Sequence, residues 1–176
     1  MRLHKTDWLE AGLTLLKVAG PRALTIEQLC RVLQVTKGSY YHHFGNREGY
    51  QSALIAYWRE QNTEQLIATT EAVDPQQRSQ VLSELARSAD AGVENAMRTW
   101  AQQDAAVAQE VATVDLARTH YLERLIAPRL SNEHDANLVA KLIYSHFVGV
   151  QQLPGLVTDT EWENMDKLLM ETFLKV

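Results

Sequence analysis

Apolar residues recur at steps of three and four along almost the whole chain, and the breaks between such runs are helix-ending signals, not strand turns. Gly20-Pro21 and Pro154-Gly155 are breakers, and Thr25, Thr36, Asn46, Asp74, Asp104 and Thr160 are residues that cap helix starts. No segment alternates apolar and polar residues as a half-buried strand does, and there is no Asn-Gly or Asp-Gly hairpin signal. The pattern predicts an all-α chain of about nine helices.

The first helix is predicted over about Thr6 to Ala19, with Trp8, Leu9, Leu13, Leu15 and Leu16 on its apolar positions. The second opens at Thr25, where Thr25-Ile26-Glu27-Gln28 reads as a capping box with Gln28 reaching back. A turn at Gln34-Val35 leads to a short third helix from Thr36 to Phe44, and Asn46 caps a long fourth helix reaching about Ala72. The fifth is expected from Asp74-Pro75, with Gln77 completing a box, to Asp90-Ala91-Gly92, and the sixth from Val93 to Gln102. A seventh runs from the Asp104 cap toward Ile126 and is closed by Pro128; Ser131 or Asn132 opens an eighth to about Leu153, and Thr160-Glu161-Trp162-Glu163 opens a ninth.

A chain of 176 residues buries a core without staples, and its single cysteine cannot form an internal disulfide. Cys30 falls on the apolar face of the second helix, where a thiol acts as a small hydrophobe and not as a redox switch. The first residues lack the apolar run of a signal peptide. The longest uncharged stretch, Leu142 to Thr158, is interrupted by His146, Gln151, Gln152, Pro154 and two glycines, a poor membrane span. A cytoplasmic protein with no membrane partner is expected. The net charge of −5 is unevenly spread: residues 1–50 carry seven Lys/Arg against four Asp/Glu, net +3, and the rest carries ten against eighteen, net −8. That split suggests a cationic module on a larger acidic one.

Residues 25–47 carry the functional signal. Two short helices joined by a tight turn, the second polar and aromatic, have the layout of a helix-turn-helix. The second reads Lys37-Gly38-Ser39-Tyr40-Tyr41-His42-His43-Phe44 after its cap, too poor in aliphatic residues for a core helix. Its N-terminal amides and the Lys37 ammonium suit phosphate, and Gly38 permits close backbone approach. Ser39, Tyr41, His42 and His43 offer groups for phosphates or base edges, Phe44 is expected to pack inward, and Arg47 to clamp a further phosphate.

These residues resemble the N-terminal domain of the tetracycline-repressor (TetR) family of transcriptional regulators. The resemblance spans residues 6–50. It is carried by Ala11, Gly20, Leu24-Thr25-Ile26, Leu29-Cys30, the run Val35 to Phe44, and Arg47-Glu48. It implies that Thr25, Thr36, Lys37, Gly38, Ser39, Tyr41, His42, His43 and Arg47 form the DNA-binding set. Cys30 stands where relatives usually carry alanine, and Arg47 where many carry lysine. Tyr40 stands at a commonly aliphatic position, so packing and reaching toward DNA are both open to it. Ala96-Met97-Arg98-Thr99-Trp100-Ala101 is similar to a pattern in the second domain of some members.

The resemblance further implies a DNA-binding domain over 1–48, and a ligand-binding and dimerisation domain over 49–176. It implies a palindromic double-stranded DNA operator, a small-molecule effector and a homodimer built from the last two helices. Candidate interface residues are Leu138, Leu142, Ser145 and Gly149 on one face of the eighth helix and Trp162, Met165, Leu169 and Phe173 on the ninth. Ile143, Phe147 and Val150 lie on the eighth helix's other side. Met97, Trp100, Tyr121, Tyr144, Phe147 and Gln151 are the candidate effector-pocket residues.

No cofactor is expected, and no metal: His42-His43 diverge on a helix, and His120 with Glu123, or His134 with Asp135, lack a third ligand. No phosphate-binding glycine loop, nucleophile elbow or His-Glu-x-x-His pattern indicates an enzyme. The alternative is a small helical enzyme or ligand-binding protein on the same fold without operator binding. The expected mechanism is a ligand-responsive repressor, with the long fourth helix as the lever.

Overall fold

A computed structural model describes residues 3–130 and 135–173. Among the described residues the regular elements are all helical: α1 (Lys5–Ala19), α2 (Ile26–Leu33), α3 (Lys37–Phe44), α4 (Arg47–Arg59), α5 (Gln65–Glu71), α6 (Arg78–Ser88), α7 (Ala91–Ala101), α8 (Ala105–Ile126), α9 (Ala136–Gln152) and α10 (Asp159–Phe173). A π-helical segment, Glu60–Glu64, links α4 to α5, so the expected long fourth helix is one helical run with an irregular middle.

Most boundaries follow local chemistry. Gly20 ends α1 at φ 73°, where its amide bonds the Leu16 carbonyl at 2.9 Å. Asn46 caps α4 by accepting from the Gly49 amide at 2.7 Å. Asp104 caps α8 through the amides of Ala106 (2.9 Å) and Val107 (3.2 Å).

One cap and three boundaries differ from expectation. α2 starts at its Thr25 cap as expected, and Thr25 accepts from the Gln28 amide at 3.2 Å, but the Gln28 side chain accepts from Arg31 instead of reaching back. Asp74 accepts from the Gln76 amide at 2.9 Å in a turn, which delays α6 to Arg78. Asp90 starts α7 instead of ending α6: its carboxylate accepts from the Gly92 and Val93 amides. At α10 the capping box is Thr158 with Glu161, two residues before the one expected at Thr160. The expected start of the eighth helix at Ser131 or Asn132 lies outside the described residues; α9 is capped by Asp135.

The chain divides into two compact units: residues 1–66 with 88–112, and residues 67–87 with 113–176. In the first, α1 packs against α2, α4 and α7. Its core is aromatic: Trp8, Tyr40, Tyr50 and Trp58 are buried to 2% exposure or less, beside Leu16, Leu29, Leu54 and Met97. Trp8 meets Tyr40 edge-on at 5.6 Å and Phe44 at 6.2 Å, and Phe44 meets Tyr50 at 4.9 Å. The buried Tyr50 hydroxyl donates to the Trp8 carbonyl at 3.0 Å. Burial raises the phenol pKa of Tyr50 and of Tyr40, the latter to about 12. Gly12 makes this arrangement possible: a Cβ there would lie 1.9 Å from the Tyr50 hydroxyl. An ion pair of 2.7 Å joins Lys17 of α1 to the Asp90 cap of α7.

In the second unit, Ile126 of α8 and Val139 and Ala140 of α9 form a buried cluster covered by Leu122, Ile143, Met170 and Phe173. Polar groups are held inside it as well. The Tyr144 hydroxyl donates to Asp115 at 2.6 Å and accepts from Arg118 at 3.2 Å. Asp166 of α10 accepts from Arg87 at 3.1 Å and lies 3.3 Å from His146 Nε2.

Candidate nucleic-acid interface

The site is built on α2 and α3. Gln34 takes the left-handed conformation, φ 55°, and its amide and that of Val35 bond back to the Arg31 and Cys30 carbonyls. This tight turn brings α3 against α2, the layout of a helix-turn-helix. Cys30 is half-buried on α2, where burial pushes its thiol pKa up.

Helix α3 is fixed from beneath by two residues. Tyr40 is 1% exposed and Phe44 8%, so the question left open for Tyr40 is decided: it packs into the aromatic core. The Phe44 side chain is buried as expected. The remaining candidate residues are exposed or half-buried. Thr36, Lys37, Gly38, Tyr41, His42 and Arg47 are exposed, and Ser39 and His43 are half-buried. Thr25 is half-buried, its hydroxyl used as the α2 cap. His43 keeps one side against Trp8, ring centres 6.5 Å apart. Nothing lies within 3.4 Å of a Cβ built on Gly38, so the backbone there is open.

Two features were not legible in the sequence. Thr36 stands at the N-cap of α3, but its side chain makes no capping hydrogen bond, so no side chain closes off the first amides of α3. And Lys37 is not bare: its ammonium pairs with Glu27 on α2. Both partners are more than half exposed, which makes the pair weak and easily exchanged for another anion. The pairing lowers the Glu27 carboxyl pKa and raises that of Lys37, so both are charged at neutral pH. The 10-residue separation carries no helical periodicity that would have announced it.

The other candidates are divided between the units. Met97 and Trp100 are buried in the first; Tyr121, Tyr144 and Gln151 are buried in the second, where Phe147 stacks on Tyr144 at 6.0 Å and meets Trp162 at 6.2 Å. On α9, Leu138 is 68% exposed and Leu142 43%, with Ser145 exposed beside them. On α10 the outward residues are Met165 and Leu168, the second missed in the sequence; Phe173 instead packs on its own cluster. Among the described residues, no three His, Cys, Asp or Glu side chains are placed to share a metal ion. No helix among them is long and apolar enough to cross a membrane.

The family model for bacterial regulatory proteins of the tetR family matches residues 9–49. No curated protein matches the sequence. Solved structures match along nearly the whole chain. A TetR transcriptional regulator from Legionella pneumophila superposes with a TM-score of 0.75 at 15% identity, covering 98% of this chain and 100% of that one. The ketosteroid transcriptional regulator KstR2 of Mycobacterium tuberculosis gives 0.68 at 16% identity, covering 100% and 97%. AibR, in complex with isovaleryl coenzyme A and operator DNA, gives 0.69 at 16% identity, covering 94% and 96%.

Proposed function

We propose, from the premise that residues 9–49 are a tetR-family segment on a chain with the fold of TetR-family regulators, that this protein is a dimeric, ligand-responsive transcriptional repressor of a palindromic operator. One observation carries the reading: α3 is anchored by Tyr40 and Phe44 and leaves Lys37, Tyr41 and His42 exposed, with Ser39 and His43 half-buried at its edges. A helix held this way presents a rigid, polar, partly cationic ridge, which is what a major groove accepts.

In this reading residues 1–48 are the DNA-binding domain and 49–176 bind effector and partner. Lys37 exchanges Glu27 for a phosphate, and the amides at the start of α3 take another. Gly38 allows close approach. Ser39, Tyr41, His42 and His43 read base edges or phosphates, with Thr25, Thr36 and Arg47 at the flanks. Two such helices engage half-sites about 34–36 Å apart, which requires a two-fold dimer. The exposed leucines of α9 and α10 are the natural contact. An effector acts by preferring the dimer state that does not match this spacing, since only differential affinity shifts a population. Buried Tyr144 and Gln151 and half-buried Phe147 supply an effector's apolar walls and polar handles. One neighbour of this fold is named a ketosteroid transcriptional regulator and another is in complex with isovaleryl coenzyme A and operator DNA. The protein acts in the cytoplasm, where its operator lies, and catalyses no reaction.

The test is fluorescence anisotropy with DNA from immediately upstream of the gene. Lys37→Ala and Tyr41→Phe weaken binding while the thermal melt is unchanged, and Glu27→Gln, which releases Lys37, tightens it. Unaltered affinity in both weakening variants overturns the site.

A further inference from the structure

Within the first unit, away from the side chains of α3, lies a partly open cavity of about 170 Å³ lined by Arg22, Leu24, Arg47, Gln51, Trp100 and Asp104 among others. Its charges are unequal in what they already do. The Asp104 carboxylate is occupied by the Ala106 and Val107 amides and, at 3.0 Å, by the Gln51 side-chain amide. These donors lower its pKa and so keep it ionised. By contrast, neither the Arg22 nor the Arg47 guanidinium has an ion-pair or hydrogen-bond partner among the described residues. Two arginines with no acid assigned to them therefore line one cavity, beside a single carboxylate whose acceptor sites are largely used. Leu24, 6% exposed, and Trp100, 7%, give the cavity an apolar stretch of wall beside the polar side chains of Gln51, Gln103 and Asp104.

A guanidinium is planar and offers paired donors that match a carboxylate. The volume is close to the roughly 150 Å³ that holds a single benzene ring in an engineered protein cavity. We propose that this cavity binds a small planar monoanion, namely a single-ring aromatic carboxylate, with Arg22 and Arg47 on the carboxylate and Trp100 and Leu24 against the ring. An inorganic anion would leave the apolar wall unused, and a neutral ring would leave both arginines unpaired. The site also has a consequence that rests on the operator reading above: a carboxylate on Arg47 takes the group assigned to a DNA phosphate, so occupancy weakens operator binding directly.

The experiment is calorimetric titration of the intact protein, free of DNA, with benzoate at constant ionic strength. Benzamide serves as the neutral ring and inorganic phosphate as the ringless anion. Benzoate saturates at one per chain and binds at least about tenfold more tightly than either control, as one charge-assisted hydrogen bond warrants. Arg22→Gln, a change at an exposed position, lowers its affinity about tenfold without altering the melt. The Trp100 indole resonance shifts on titration in the wild type. Benzoate that does not saturate, that is equalled by benzamide or phosphate, or that binds Arg22→Gln as it binds the wild type, overturns the proposal. Operator anisotropy is then repeated with benzoate. A site that binds benzoate but leaves operator affinity unchanged keeps the cavity and removes Arg47 from the DNA set.

Discussion

The α1–α4 region and the α9–α10 region treat apolar residues in opposite ways. In the first, the aromatic side chains Trp8, Tyr40 and Tyr50 are all 2% exposed or less, and the polar groups of α3 face outward. In the second, Leu138, Leu142, Met165 and Leu168 are exposed while Tyr144 and Gln151 are buried and the Arg87–Asp166 pair is half-buried. The first arrangement is complete in one chain. The second leaves these four side chains exposed, and they are the ones the proposed dimer would cover. In the proposed function the first region meets the polyanion and the second meets a copy of itself.

The sharpest way to break this contrast is to empty the aromatic core. Trp8→Ala removes the ring that Tyr40 and Phe44 meet edge-on, and destabilises the first unit by about 3–5 kcal/mol. Urea titration followed by circular dichroism shows an early transition; an unchanged midpoint would mean that α3 is held by something else.

Next is the outward face of α9. Leu142→Asp places a charge on the proposed contact and weakens self-association at least about a hundredfold, roughly 2.7 kcal/mol. Light scattering at fixed concentration reads a halved mass. A dimer of normal mass would show that this face is solvent-exposed in function too.

A smaller effect sharpens the account of the core. Gly12→Ala drives a methyl into the Tyr50 hydroxyl and costs about 1–3 kcal/mol. Tyr50→Phe alone costs about 1 kcal/mol, the hydrogen bond to the Trp8 carbonyl. Combined, the two recover part of the loss, because the phenyl ring lacks the clashing oxygen; simple additivity would contradict the geometry.

The smallest effect is electrostatic. Asp90 has a lowered carboxyl pKa, chiefly through its hydrogen bond from Lys17. A carboxylate whose folded pKa lies below its unfolded value stabilises the fold above the unfolded pKa, and that contribution is lost as pH falls through the folded one. Melting temperatures of the wild type therefore fall below about pH 3.8, the ordinary value for the group, and Asp90→Asn flattens part of that fall. An Asp90→Asn melt with the same acid slope would remove the cap from the account.

What was legible in the sequence is what local chemistry decides. Gly20, Asn46 and Asp104 end or start helices where a neighbouring amide needs them. The polar character of residues 37–43 is evident without a fold. What was not legible depends on residues far apart in the chain. Tyr40 and Tyr41 are chemically equivalent in sequence, and only Trp8 and Tyr50 decide that the first goes inside and the second stays 51% exposed. Phe173 and Leu168 are both apolar on one helix, and the position of Ile126 and Val139 decides which is covered. Lys37 with Glu27, and the cavity joining residues 21–51 to Trp100 and Asp104, arise in the same way.

The central claim is that the exposed face of α3 binds a specific DNA site as part of a dimer. It is tested most directly by titrating the protein onto DNA from upstream of its own gene, against scrambled DNA of equal length, across a range of salt concentrations. The account predicts selective binding of two chains per site, with affinity falling steeply as salt rises. Equal affinity for both DNAs, by a folded protein of dimer mass, would contradict it.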